Sequence, residues 1–226
     1  MNTNRYFHLS ESCKSIKDVF LSSAEMKALY NKLTETEQIS LINHYIVENH
    51  PYAFRLIPLL FDQIIQFLGK ELDVPIESVK LIGSAKQGYS IDPKQYGMLF
   101  SENSDMDFTI VDTALFQKLK EDFESWQHAY YSKIVSPRNK KEEFYWNDNI
   151  NRLPNNIKRG FIDHHKIPLL FSTCPTNNRI NDVLYRVQKN LSLFNIETKR
   201  VTLRVYKDFI SFNKQIKINT DHCMTM

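Results

Sequence analysis

The sequence predicts a mixed α/β (α+β) protein: a small mixed sheet flanked by helices. A helical extension over residues 1–77 packs on a core formed by residues 78–226, and a helical and loop insertion precedes the last strand. Three observations carry this prediction. Helical periodicity dominates the first 75 residues. Short runs of strand character recur at 78–83, 107–111 and 200–206 with helical patterns between them, the alternation expected of mixed folds. Three of only five glycines, Gly83, Gly88 and Gly97, fall within 15 residues, directly after the first of those runs. Glycine is where backbone can adopt left-handed angles or approach another group closely.

Each element has its own warrant. Ser22-x-x-Glu25 and Thr34-x-x-Glu37 are capping boxes and predict two helix starts. Leu41, Ile42, Tyr45 and Ile46 form an apolar helical stripe. Pro51 suits the first turn of a helix that carries Phe54, Leu60, Phe61, Ile64, Ile65 and Leu68, kinks or restarts near Pro58, and ends near Gly69. Ser78–Gly83 reads as a strand, followed by a polar turn. Asp107–Val111 is a second strand, entered through Ser104, Asp105 and Met106. Asp112 and Thr113 open a helix with Leu115, Phe116, Leu119, Phe123, Trp126 and Tyr130 on one side. Residues 136–178 are polar, aromatic and punctuated by proline, and read as short helices and loops. Thr176 or Asn177 caps a helix through Val183, Leu184, Val187, Leu191 and Phe194. Arg200–Tyr206 alternates apolar and polar residues as a strand, and a short helix closes the chain.

Composition narrows the function classes. With 42% hydrophobic and 24% charged residues over 226 positions, the chain has ordinary globular composition rather than that of a disordered or coiled-coil protein. No apolar run approaches the roughly 20 residues that span a bilayer; the most apolar stretch, Leu56–Leu68, is broken by Pro58, Asp62 and Gln63. The N-terminus lacks the basic and apolar regions of a secretory leader. Cys13, Cys174 and Cys223 are odd in number and far apart, which argues against a disulfide framework or a zinc knuckle. A cytoplasmic setting and no membrane partner are expected. The net charge of +3 permits a nucleotide partner without demanding one.

The chemistry concentrates in Leu81-Ile-Gly-Ser-Ala-Lys-Gln-Gly-Tyr89 and Ser104-Asp-Met-Asp-Phe-Thr-Ile-Val111. Gly83 ends a strand where the absence of a side chain lets a phosphate approach the backbone, and Ser84 adds a hydroxyl and an N–H. Asp105 and Asp107 are two apart, so in a strand both carboxylates face one way. Paired hard oxygens suit Mg²⁺ (or Mn²⁺) when substrate phosphates complete the shell. A phosphate cradle beside paired carboxylates is a site for metal-assisted phosphoryl transfer.

Gly-Ser at a strand end followed by Asp-x-Asp on the next strand resembles the polymerase-β-like nucleotidyltransferase superfamily. GSAKQGYS…SDMDFTIVD is similar to a group of bacterial nucleotidyltransferase-domain proteins; Pro51–Asp112 has that group's layout, with a helical lead-in before the Gly-Ser strand, and the likeness covers about 60 residues. It implies transfer of a nucleoside monophosphate from a nucleoside triphosphate to a hydroxyl. In that reading Asp105 and Asp107 are catalytic and metal-binding, and Gly83, Ser84, Lys86 and Arg204 bind the nucleotide. The acceptor is open. Relatives modify proteins, RNA or small molecules, and some make oligonucleotide signals in anti-phage (antiviral) defence, so an oligonucleotide product or a protein partner is expected.

Two departures accompany the resemblance. Residues 85–104 insert more chain than usual between Ser84 and Asp105, as a lid or a plain surface loop. The third carboxylate of the family is missing: the polar face of Arg200–Tyr206 shows Arg200, Thr202 and Arg204, with Glu197 and Asp208 outside the strand. This absence motivates an alternative, a catalytically degraded binding module for a nucleotide or a toxin or effector. A second alternative comes from Asp163-His164-His165, which is similar to the metal motif of DHH phosphoesterases; a surface loop is the plain reading. The interleaved aromatic and basic residues from Tyr130 to Trp146 read as a helix with its rings inward, against a stacking surface for nucleic acid.

Overall fold

The structure, a computed structural model, describes residues 9–14, 16–17, 19–170 and 172–225. Residues 1–8 of the stretch read for a leader lie outside them. After a single turn, α1 (Glu11–Lys14), the two capping boxes form as the sequence requires. The Ser22 hydroxyl accepts from the Glu25 N–H at the start of α2 (Ser23–Tyr30), and the Glu25 carboxylate accepts the Ser22 N–H at 2.8 Å. Thr34 opens α3 (Glu35–Leu41), its N–H and hydroxyl donating to Glu37. Leu41, Ile42, Tyr45 and Ile46 are buried, but the pitch changes: Ile42–Glu48 is a π-helix, closed by the Asn49 N–H on the His44 carbonyl. Such wide turns are rare and frequent near functional sites.

Pro51 precedes only a 3-10 turn, Tyr52–Phe54, and α4 (Pro58–Leu72) starts afresh with Pro58 in its first turn. It runs past Gly69 because Asp73, not Gly69, takes the left-handed conformation that stops it. Next come β1 (Val79–Ile82), the one-turn α5 (Ser84–Gln87), β2 (Asp105–Val111) and α6 (Thr113–Tyr131). Asp112 caps α6, accepting the Leu115 N–H at 2.7 Å.

The expectation of short helices and loops over 136–178 is corrected. A 19-residue helix, α7 (Lys140–Lys158), holds Pro154 within it. Trp146, Ile150 and Leu153 are buried at helical spacing, and Asn139 caps the start by accepting the Glu142 N–H. That buried stripe outweighs the one backbone bond that proline removes. A three-residue strand, β3 (Phe161–Asp163), follows, then α8 (Pro175–Leu193), β4 (Arg200–Tyr206) and a long α9 (Phe209–Thr225). The cap of α8 is Cys174, not Thr176 or Asn177. Pro175 fits the first helical position, and the acceptor arrives from another helix: Asp122 of α6 takes the Asn177 N–H at 2.7 Å.

The four strands form one mixed sheet in the order β1-β2-β4-β3. β1 is antiparallel to β2, β2 parallel to β4, and β3 antiparallel to β4. One face presents Val79, Leu81, Met106, Phe108, Ile110, Ile162, Val201, Leu203 and Val205, which share a core with apolar residues of α4, α6, α7 and α8. A one-residue slip of β2 would exchange Phe108 for Asp107 on that face, and this pins the register.

The opposite face is divided. At its far end Val111, Phe161 and Tyr206 join a second core with Met26, Tyr30, Tyr45, Ile46, Phe212 and Ile216. Its near end keeps Asp105, Asp107, Thr202 and Arg200. The N-terminal helices and α9 together cover the far end, whereas α4 belongs to the first core. Each core therefore draws on both sides of the expected boundary at residue 77. No described helix is long and apolar enough to cross a membrane.

Candidate functional site

The register assembles the site. Ile82 pairs with Asp107 across β1 and β2, so the chain leaving β1 turns through Gly83 and Ser84 beside the carboxylates. Gly83 has φ +74°, and a Cβ built on it would lie 3.1 Å from Asp107 Oδ2. Only glycine offers both the angle and the space. Ser84 starts α5, and Gly88 ends it in the left-handed region with the Tyr52 ring packed where a side chain would sit.

Asp105 and Asp107 share the polar face of β2. On β4, Arg200 stands opposite Asp105, Thr202 opposite Asp107, and Arg204 opposite Thr109. Asp107 Oδ1 accepts the Thr202 hydroxyl at 2.6 Å. Burial pushes the Asp107 carboxyl above its ordinary range; the Thr202 hydrogen bond and the two arginines pull it down, while Asp105 pushes it further up. Asp105 Oδ2 accepts from Arg200 Nε at 2.9 Å and Nη2 at 2.7 Å. Asp105 Oδ1 is buried and has no hydrogen-bond partner.

Arg204 sits higher on the same face. Its Nε donates to Asp163 Oδ1 at 2.6 Å and its guanidinium lies over the Phe161 ring. Asp163, in β3, also holds Lys166 at 2.9 Å. Its burial alone would raise its pKa, but Arg204 and Lys166 override this and hold it at about 2. His164 is buried, with Nδ1 2.9 Å from the Leu203 carbonyl oxygen, and desolvation brings it down to about 4. Among the described residues no group of three or more His, Cys, Asp or Glu side chains is gathered where it could hold a metal ion. Asp163 thus ends β3 and His164 opens a 3-10 turn, both fixed by their neighbours rather than lying in a surface loop.

Gly83, Ser84, Asp105 and Asp107 are brought together, with Arg204 further along the same face. Lys86 is not an exposed cation at the turn. It is buried, and its ammonium donates to the backbone carbonyls of Val47, at 2.9 Å, and Asn49. Gln87 likewise donates to the Tyr45 carbonyl at 2.7 Å. Both bonds tie α5 to the π-helix and so hold the Gly83–Ser84 turn in place. The insertion after α5 folds back on itself through a Tyr89–Leu99 bridge, and the Tyr96 hydroxyl reaches the Ser23 carbonyl at 2.7 Å.

No family model, curated protein or solved structure matches the chain. Sequence reasoning recognised the polar face of β4 but assigned no role to Arg200 or Thr202. Their signal was present in the alternation Arg200, Thr202, Arg204; what it lacked was the register that sets them against Asp105 and Asp107. Asp163 was missed as a neighbour of Arg204 because a three-residue strand has too little periodicity to detect.

Proposed function

We propose that the protein is a metal-dependent nucleotidyltransferase with a nucleotidyltransferase-like sheet, moving a nucleoside monophosphate from a nucleoside triphosphate to a hydroxyl acceptor. The observation that carries this reading is the contact between Gly83 and Asp107: a glycine–serine turn pressed against one of two carboxylates on a single strand face. A divalent ion suits the donor set. Asp105 Oδ1 is buried and unpartnered, and Asp107 is ionised only against the cost of its burial. Mg²⁺ is commonly held by one or two carboxylates plus substrate phosphates. When bound, such an ion would polarise the reacting phosphoryl group and neutralise charge on the leaving pyrophosphate.

The chain's own groups do the rest in this reading. Thr202 fixes the Asp107 carboxylate. The Ser84 hydroxyl and the open backbone at Gly83 receive phosphate oxygens. Arg204, held by Asp163, supplies a fixed positive charge on the same face. The acceptor is the 2′- or 3′-hydroxyl of another nucleotide, giving an oligonucleotide signal, or a hydroxyl side chain of a protein partner, in bacterial defence. A second reading is favoured by one specific observation: Arg200 and Thr202, not an acid, stand opposite the pair. In that reading the same site binds the nucleotide without turning it over.

The test is incubation with the four nucleoside triphosphates and Mg²⁺ or Mn²⁺, followed by mass analysis of the nucleotides and of the protein. Release of pyrophosphate with a nucleotidylated product, abolished by Asp105→Ala plus Asp107→Ala, is the expected result. Calorimetric binding without any product selects the second reading. Neither binding nor product rules out both.

A further inference from the structure

Two arginines line the site, and they are held differently. Arg204 is clamped: Asp163, nearly fully buried, takes its Nε, and Phe161 lies beneath its guanidinium. Arg200 stands at the start of β4 with 53% of its side chain exposed, against an Asp105 side chain that is 25% exposed. Its Nε and Nη2 converge on a single oxygen, Oδ2, rather than forming a fork across the two carboxylate oxygens. The other oxygen, Oδ1, is buried with no partner. Exposed pairs of this kind contribute about 0–1 kcal/mol, so the contact is readily exchanged.

We propose that Arg200 is an exchangeable counter-ion. It neutralises Asp105 in the free protein and moves to the polyphosphate of a nucleoside triphosphate once Asp105 is engaged by a divalent cation. The inference rests on the nucleotide-site reading above and assigns a role to a residue that reading leaves without one. Charge balance drives the exchange. With Arg200 present, Asp105 is already compensated, and an incoming cation must displace a guanidinium. The displaced guanidinium then faces the phosphates that arrive with the cation, and planar guanidinium matches phosphate geometry. Arg200 thus opposes metal binding without nucleotide and favours it with nucleotide. Arg204 lacks this freedom, because releasing it would leave Oδ1 of buried Asp163 without its partner, Lys166 holding only Oδ2.

The test measures Mn²⁺ binding by calorimetry to the full chain and to Arg200→Ala and Arg200→Gln, first without nucleotide and then with a non-hydrolysable ATP analogue. Thermal melts of each variant verify folding, and the glutamine variant preserves side-chain bulk. Without nucleotide, both variants bind Mn²⁺ roughly two- to five-fold more tightly than the parent, as loss of an exposed ion pair allows. With Mn²⁺ present, both bind the analogue about ten-fold more weakly, the loss expected for charge-assisted hydrogen bonds. Failure of either arm in both folded variants, while the parent binds the Mn²⁺ analogue complex through Asp105, overturns the exchange and leaves the nucleotide site standing. If the parent itself binds neither Mn²⁺ nor the complex, the site reading and the exchange fall together.

Discussion

Asp107 carries a conflict between stability and chemistry. It is buried beside Asp105, held by Thr202, and pressed against a glycine that cannot be enlarged. Its pKa lies above the ordinary value, so folding favours the protonated form relative to the unfolded chain. The stability tied to this group is complete below the ordinary carboxylate range and is lost as pH rises through the raised value. At neutral pH the ionised carboxylate therefore burdens the fold. Asp107→Asn keeps an acceptor for Thr202 and removes the charge, so its melting temperature rises above that of the parent near pH 7. Mn²⁺ stabilises the parent in the same melts and leaves the variant unchanged. A variant that melts lower in plain buffer would contradict this account of Asp107.

At the scale of elements, the turn that carries Ser84 is held by α5 and the π-helix together. Lys86 and Gln87 donate to carbonyls of Val47, Asn49 and Tyr45. These carbonyls lie in the last turn of the π-helix or just past it, where a helix end leaves carbonyls unsatisfied, and the Gly88 cap seats α5 on Tyr52. Lys86→Ala leaves buried carbonyls unpaired and costs about 2 kcal/mol or more in urea unfolding. Desolvation brings Lys86 down to about 8. The unfolded chain then binds the extra proton between about pH 8 and the ordinary lysine range, so parent stability climbs with pH across that window. The variant lacks this climb. Much at this scale was legible in the sequence: both N-terminal capping boxes, the Asp112 cap and the bounds of β4. The length of α7 was not, because Pro154 and the surrounding asparagines argue locally against helix, and only the burial of Trp146, Ile150 and Leu153 outweighs them.

At the scale of the molecule, the sheet separates two cores, and the polar near end of one face carries the candidate site. β3 and β4 are joined on that face by the Asp163–Arg204 pair, which couples global stability to acid pH. Asp163 is held at about 2 in the folded protein, below its unfolded value, so its contribution is present above the ordinary aspartate range and lost as pH falls from about 4 towards 2. Its size is about 2 kcal/mol for a shift of this order. Urea midpoints of the parent should drop across that interval, and those of Asp163→Asn should start lower at neutral pH and drop less. Equal acid sensitivity of the two proteins would remove Asp163 from this role.

The sequence alone determined what is local. Strand alternation placed both aspartates on one face, the glycine cluster marked the turn, and the caps marked helix starts, because each depends on residues within a few positions of one another. The tertiary structure decided what depends on pairing between distant segments. Parallel pairing of β2 with β4 set Arg200 and Thr202 against the carboxylates, 95 residues away in the chain. Antiparallel β3 brought Asp163 to Arg204, and packing on the π-helix buried Lys86. Periodicity tells which way a side chain points, but only the register between strands tells what it meets there.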